Sequence, residues 1–139
     1  MKSITHYLNE SLLHPARIFI IVKPGFFKYS QEILERFAKD GWELEKSRTK
    51  QLLPKEAKSL YKIHKDEEWY KPLWEYMSSE PTTAFILINR QKSMTPSIFT
   101  ETGAIKDEIR EKYGESDMRN VIHSSDSIEH MEYEQHIYF

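Results

Sequence analysis

Cysteine is missing from the 139 residues of this chain. That absence removes disulfides, thiolate nucleophiles and thiolate-bound metals, and it fits a reducing compartment. No apolar run approaches the ~20 residues needed to span a bilayer. The N-terminus, M-K-S-I-T-H-Y-L-N-E, has no uninterrupted apolar core and no small-residue cleavage site, so it does not read as a signal peptide. A soluble cytoplasmic protein without membrane association is expected. An excess of positive charge is also lacking. The formal net charge is −2, which gives no reason to expect a nucleic-acid partner. Three chemical signatures are missing as well. There is no G-x-x-x-x-G-K-[ST] phosphate loop, no G-x-S-x-G nucleophile elbow, and no H-x-x-x-H pair to hold a metal.

What is present is a rich supply of core formers. Apolar residues make up 39% and aromatic residues 13%, enough for one folded domain and too much for a disordered chain. Residues 1–15 carry Tyr7, Leu8, Leu12 and Leu13 at helical spacing and read as an extension, followed by a domain over 16–139. Ala16 to Lys23 is a continuous apolar run with β-branched residues, expected as a strand buried on both faces. Tyr29 to Lys39 has a helical stripe ended by Asp40-Gly41, and Trp42 to Lys50 reads as a strand with one wet face. Lys55 to Tyr61 and Trp69 to Met77 read as helices, Thr82 to Asn89 as a strand, and Ile105 to Lys112 as a helix. Asn120 to Ile122 reads as a last short strand, and Asp126-x-x-Glu129 as a capping box opening a final helix. This order predicts an α/β (α+β) ferredoxin-like βαββαβ domain, a four-stranded antiparallel sheet covered by helices.

The stretch N-V-I-H-S-S-D-S, Asn120 to Ser127, places an imidazole between a strand and a helix start. Two readings stand open on those residues alone: a histidine that ends a strand, or a nucleophile displayed on a fixed scaffold. Neutral imidazole suits the second, because its unperturbed pKa of ~6.5 leaves it nucleophilic near pH 7.

Three islands in register decide between them. F-I-I-V-K-P at 19–24, Y-K-I-H-K-D-E-E-W-Y-K-P-L-W-E-Y-M-S-S-E-P at 61–81 and R-N-V-I-H-S-S-D-S at 119–127 resemble the nucleoside diphosphate kinase family. The resemblance covers most of the chain from about residue 16. It implies a ferredoxin-like fold and ping-pong transfer of a γ-phosphate from a nucleoside triphosphate to a nucleoside diphosphate through a phosphohistidine. It also implies residue roles. His123 would be the nucleophile, with Glu134 and Ser125 supplying its polar surroundings. Lys23 and Arg110 would meet phosphate, Tyr61 would bring a hydroxyl near the transferred group, and Asn120 would contact ribose. Trp69 would stack on the base, with Leu73 lining the same slot. Glu101-Thr102 resembles a glutamate-threonine pair in the family, which makes Thr102 a candidate phosphate contact. Mg2+ would arrive with the nucleotide. The expected partners are nucleoside di- and triphosphates and further copies of the chain.

The sequence also departs from the family pattern. Glu67 and Pro96 stand where the resemblance calls for phosphate-binding arginines, and Ser124 replaces a glycine after the histidine. Arg90, Lys92 and Lys65 are the cations expected as replacements. The turn after Lys23 is P-G-F, shorter than the family's. Thr102 to Arg110 is about three residues shorter than the family's stretch, a long loop that lines the nucleotide site and builds a hexamer, so a dimer is expected instead. The alternative to an active kinase is a degenerate relative, a nucleotide-binding or protein-interaction module with little or no transfer.

Overall fold

A computed structural model describes residues 14–139. The extension expected to be helical, 1–15, lies almost wholly outside the described residues. The elements run β1 (Pro15–Val22), α1 (Ser30–Ala38), β2 (Glu43–Lys50), α2 (Pro54–Leu60), α3 (Tyr70–Met77), β3 (Thr82–Ser93), α4 (Ser97–Tyr113), β4 (Ile122–Ser124) and α5 (Ile128–Gln135), with single 3-10 turns at Phe27–Tyr29 and Lys62–His64. The sheet order is β2-β3-β1-β4 and every pairing is antiparallel. This is the expected ferredoxin-like topology, with α2 and α3 inserted between the second and third strands.

Side-chain alternation along β1 divides the interior into two layers. Ala16, Ile18, Ile20 and Val22 pack with Ile33 and Phe37 of α1 and with Ile98, Ile105 and Ile109 of α4. Phe19 and Ile21 point the other way, into a layer with Ala57, Leu60, Leu73, Met77 and Tyr138. Helices on both sheet faces explain why β1 is a continuous apolar run rather than an alternating one.

β3 runs on to Ser93, four residues past its expected end, and four further elements differ from their sequence reading, each for a local reason. β2 was expected to hide one face, yet Leu44 is half exposed and the strand is open to solvent on both sides. It is an edge strand with a bulge: Leu44 pairs with Leu87 and Lys46 with Ile86, so Glu45 is an extra residue that breaks the alternation. α4 is about twice its expected length because Ile98, Thr102, Ile105 and Ile109 share one buried stripe. The stretch Thr102 to Arg110, a loop by resemblance, is therefore helix interior. β4 begins two residues later than expected, because Val121 takes φ 81°, which no strand residue adopts. The last helix is capped by Ser127, whose Oγ accepts from the His130 N–H at 3.1 Å, and not by Asp126.

Candidate active site

Strand register aims the two central groups. Ile21 pairs with His123, and paired residues share a sheet face. Lys23 follows Ile21 by two residues, and its N–H extends the ladder to Val121 O at 2.8 Å. Both side chains therefore leave the sheet on the α2/α3 side. A one-residue slip would send both into the opposite layer.

The backbone before His123 is held tightly. Ile122 N–H donates to Asn120 O at 3.0 Å across Val121. A two-residue bond around a positive φ is a γ-turn, a strained form for a β-branched residue. Val121 stays there because its side chain is fully buried. The Arg110 guanidinium adds a clamp, donating to Ile122 O from Nη2 at 2.8 Å and from Nε at 3.3 Å. On the other side Gly25, at φ 89°, closes the turn after Lys23. That positive φ is why the P-G-F turn takes glycine; a Cβ there would come within 2.8 Å of Arg119 Nη2, the mobile end of a part-exposed side chain.

These elements surround a cleft of about 500 Å³, lined by Lys23, Tyr61, Trp69, Leu73, Lys106, Arg110, Asn120, His123 and Glu134 among others. His123 Nε2 is hydrogen-bonded to Glu134 Oε1. An ionised carboxylate only accepts, so this bond puts the ring proton on Nε2 and leaves the Nδ1 lone pair free. Tyr61 packs its ring edge-on against the imidazole, with centroids 5.4 Å apart and planes at 82°. The two contacts fix the ring in one orientation. The Tyr61 hydroxyl is buried without a hydrogen-bond partner, and burial pushes its ionisation far above the usual phenol range.

Cations converge on the same space. Lys23 is 4% exposed, and its Nζ donates to Met118 O at 3.2 Å. Burial first, then the charges of Arg110 and Lys106, pull its pKa down to about 7. Burial also lowers the Arg110 pKa. The Asn120 amide donates to Asp117 O at 2.9 Å, while its Oδ1 is buried and unpartnered. At the outer end Trp69 is 47% exposed, with the His64 ring 4.8 Å from its own. That face is open for a flat apolar ligand, and Leu73 forms the floor beside it.

Two expected site residues are not in the cleft. Thr102 is buried in α4, and its hydroxyl is spent on Ile98 O at 2.9 Å. Helix periodicity turns it into the core, so it meets no phosphate. Ser125 is buried without a side-chain partner and does not line the cleft. The replacement cations also differ from expectation. None of Lys65, Arg90 and Lys92 lines the cleft, and Lys92 is paired with Glu101 at 2.7 Å. Glu67 and Pro96 lie outside the cleft too, Pro96 as the residue that opens α4. The cation that sequence reading missed is Lys106. Its signal was spacing: it lies four residues before Arg110, on the same side of one helix.

Comparison with known proteins identifies the family and the fold. The family model described as nucleoside diphosphate kinase matches residues 16–139. A nucleoside diphosphate kinase of Fervidobacterium nodosum is 32% identical over 129 residues, covering 88% of this chain and 88% of its own. One from Kosmotoga olearia is 29% identical with the same coverage. The crystal structure of the Aquifex aeolicus nucleoside diphosphate kinase superposes with a TM-score of 0.76 at 27% identity, covering 89% of this chain and 94% of that one.

Proposed function

This chain belongs to the nucleoside diphosphate kinase family, and from that premise we propose that His123 carries the phosphoryl group between nucleotides. The activity is that of the family, phosphotransfer between nucleotides. The degenerate alternative is not favoured, since His123, Glu134, Tyr61, Lys23, Arg110 and Asn120 still line one cleft.

In the proposed reaction His123 Nδ1 attacks the γ-phosphorus of a bound triphosphate. The N–P bond forms as the bond to the β-bridging oxygen breaks, and the diphosphate leaves with that electron pair. A second diphosphate then attacks the phosphohistidine, breaks the N–P bond and departs as triphosphate. Glu134 holds the Nε2 proton and stabilises the positive ring as it forms. Lys23 and Arg110 offset charge on the transferring group, and the free Tyr61 hydroxyl is a donor beside it. Trp69 and Leu73 receive the base, and Asn120 Oδ1 accepts from ribose. A stacking face tolerates any base, which suits broad nucleoside acceptance. Mg2+ enters as part of the substrate, bound to the polyphosphate. The Nε2–Glu134 bond is the observation that carries this reading, because it leaves Nδ1 as the free nucleophilic atom. Incubation with γ-labelled ATP should place acid-labile, alkali-stable phosphate on the protein, and added diphosphate should remove it. Nucleotide binding without any label would favour the degenerate alternative.

Lys23 makes substrate binding proton-linked. With its pKa near 7 in the free protein, most Lys23 is neutral at pH 8, and a bound polyphosphate favours the charged form. Nucleotide binding at pH 8 should therefore be accompanied by net proton uptake. Calorimetry in buffers of different ionisation enthalpy measures this directly. Lys23→Met should remove the uptake.

The proposed assembly is a homodimer. β2 is an open edge, and antiparallel self-pairing about its centre sets Glu43 against Lys50 and Glu45 against Arg48. Sedimentation should give twice the 16.7 kDa chain mass, and Leu44→Lys, which places a charge on that edge, should shift it toward monomer.

A further inference from the structure

The position of Lys106 asks for an explanation. Its side chain is 17% exposed, lines the cleft, and lies near enough to Lys23 to lower the latter's pKa. It shares one side of α4 with Arg110, and like charges at that spacing disfavour a helix. Its carboxylate partner is Asp126 at 4.0 Å, the outer limit of an ion pair. Three cations thus converge beside His123. Beside burial, the charges of Arg110 and Lys106 disfavour the charged form of Lys23.

We infer that Lys106 is a polyphosphate-binding residue, which takes over from α4 the charge that Glu67 and Pro96 do not provide. This rests on the kinase reading above. A ligand with several negative charges is what turns a mutually repelling cluster into a favourable one. Asp126 holds the Lys106 ammonium loosely in the free protein, and the phosphate chain displaces it. The chemistry selects nucleotides by phosphate number: a diphosphate or triphosphate reaches Lys106 as well as Lys23 and Arg110, and a monophosphate does not span all three.

The experiment compares ADP and AMP binding to wild-type protein, Lys106→Ala and Lys106→Arg. Titration calorimetry reports affinity without needing phosphoryl transfer. Lys106→Ala should weaken ADP binding about ten- to a hundredfold, the worth of a charge-assisted hydrogen bond, and leave AMP binding within about twofold. Lys106→Arg should restore ADP affinity to within about threefold, since charge is kept while shape changes. ADP affinity unchanged in Lys106→Ala, an equal loss for AMP, or no recovery in Lys106→Arg would each overturn the inference. A wild-type protein that binds ADP but takes no label would strike the transfer reading alone, and the affinities would still decide Lys106.

Discussion

Replacement of His123 by alanine is expected to abolish phosphate labelling and to cut nucleotide phosphotransfer by at least about four powers of ten, because the covalent route is lost with its nucleophile. No other imidazole inherits the task. His64 and His130 also line the cleft, but the hydrogen bond to Glu134 that frees one ring nitrogen belongs to His123. Alanine leaves the buried Glu134 carboxylate without its donor, which costs about 1–3 kcal/mol. A lower melting temperature would therefore accompany the loss of activity. His123→Gln separates the two effects. Its amide supplies an N–H toward Glu134 but no nucleophilic nitrogen, so it should melt closer to wild type and remain unlabelled. Label retained in either variant would remove His123 from the reaction.

Lys23→Met is expected to lower kcat about 100- to 1,000-fold, the usual effect of deleting one charge-stabilising donor from a closed site. Its effect on stability should be small or favourable. The side chain is 4% exposed and burial disfavours its charged form, so the folded protein gains little from its charge. The sign follows from linkage. The folded pKa of about 7 lies below the unfolded value of 10.5, so between these limits the unfolded chain binds the extra proton. Wild-type stability should rise with pH from about 7 to 10, and Lys23→Met should flatten that slope. Thermal melts over this range check it. A methionine variant that melts much lower while turning over normally would make Lys23 a packing residue rather than a catalytic one. The pairing of a large catalytic loss with little structural cost is what a functional buried charge predicts.

Much of the site was legible in the sequence because its parts are local. V-K-P at the end of an apolar run puts a lysine at a strand end, and N-V-I-H followed by small polar residues puts a histidine against a helix start. What periodicity could not show was Val121. Its positive φ moves β4 two residues along and places His123 inside the strand, with its ring on the Lys23 face. A β-branched residue gives no sequence signal for that conformation, which survives on burial and on the Arg110 clamp at Ile122 O. Thr102 was misplaced because its surroundings looked like a loop. Its hydroxyl bonded back to Ile98 is compatible with a helix whose buried stripe runs from Ile98 to Ile109.

The amino-acid sequence by itself pointed to the candidate nucleophile and gave the family, the buried central strands and the four-stranded antiparallel sheet, because these follow from residue type, short-range spacing and motif register. The tertiary structure decided which charges share the cleft. It brought Lys106 in from α4, left Lys65, Arg90 and Lys92 outside, and turned Thr102 and Ser125 away. The reason is range: alternation and helical period act over a few residues, whereas the company a lysine keeps depends on how whole elements pack across the sheet.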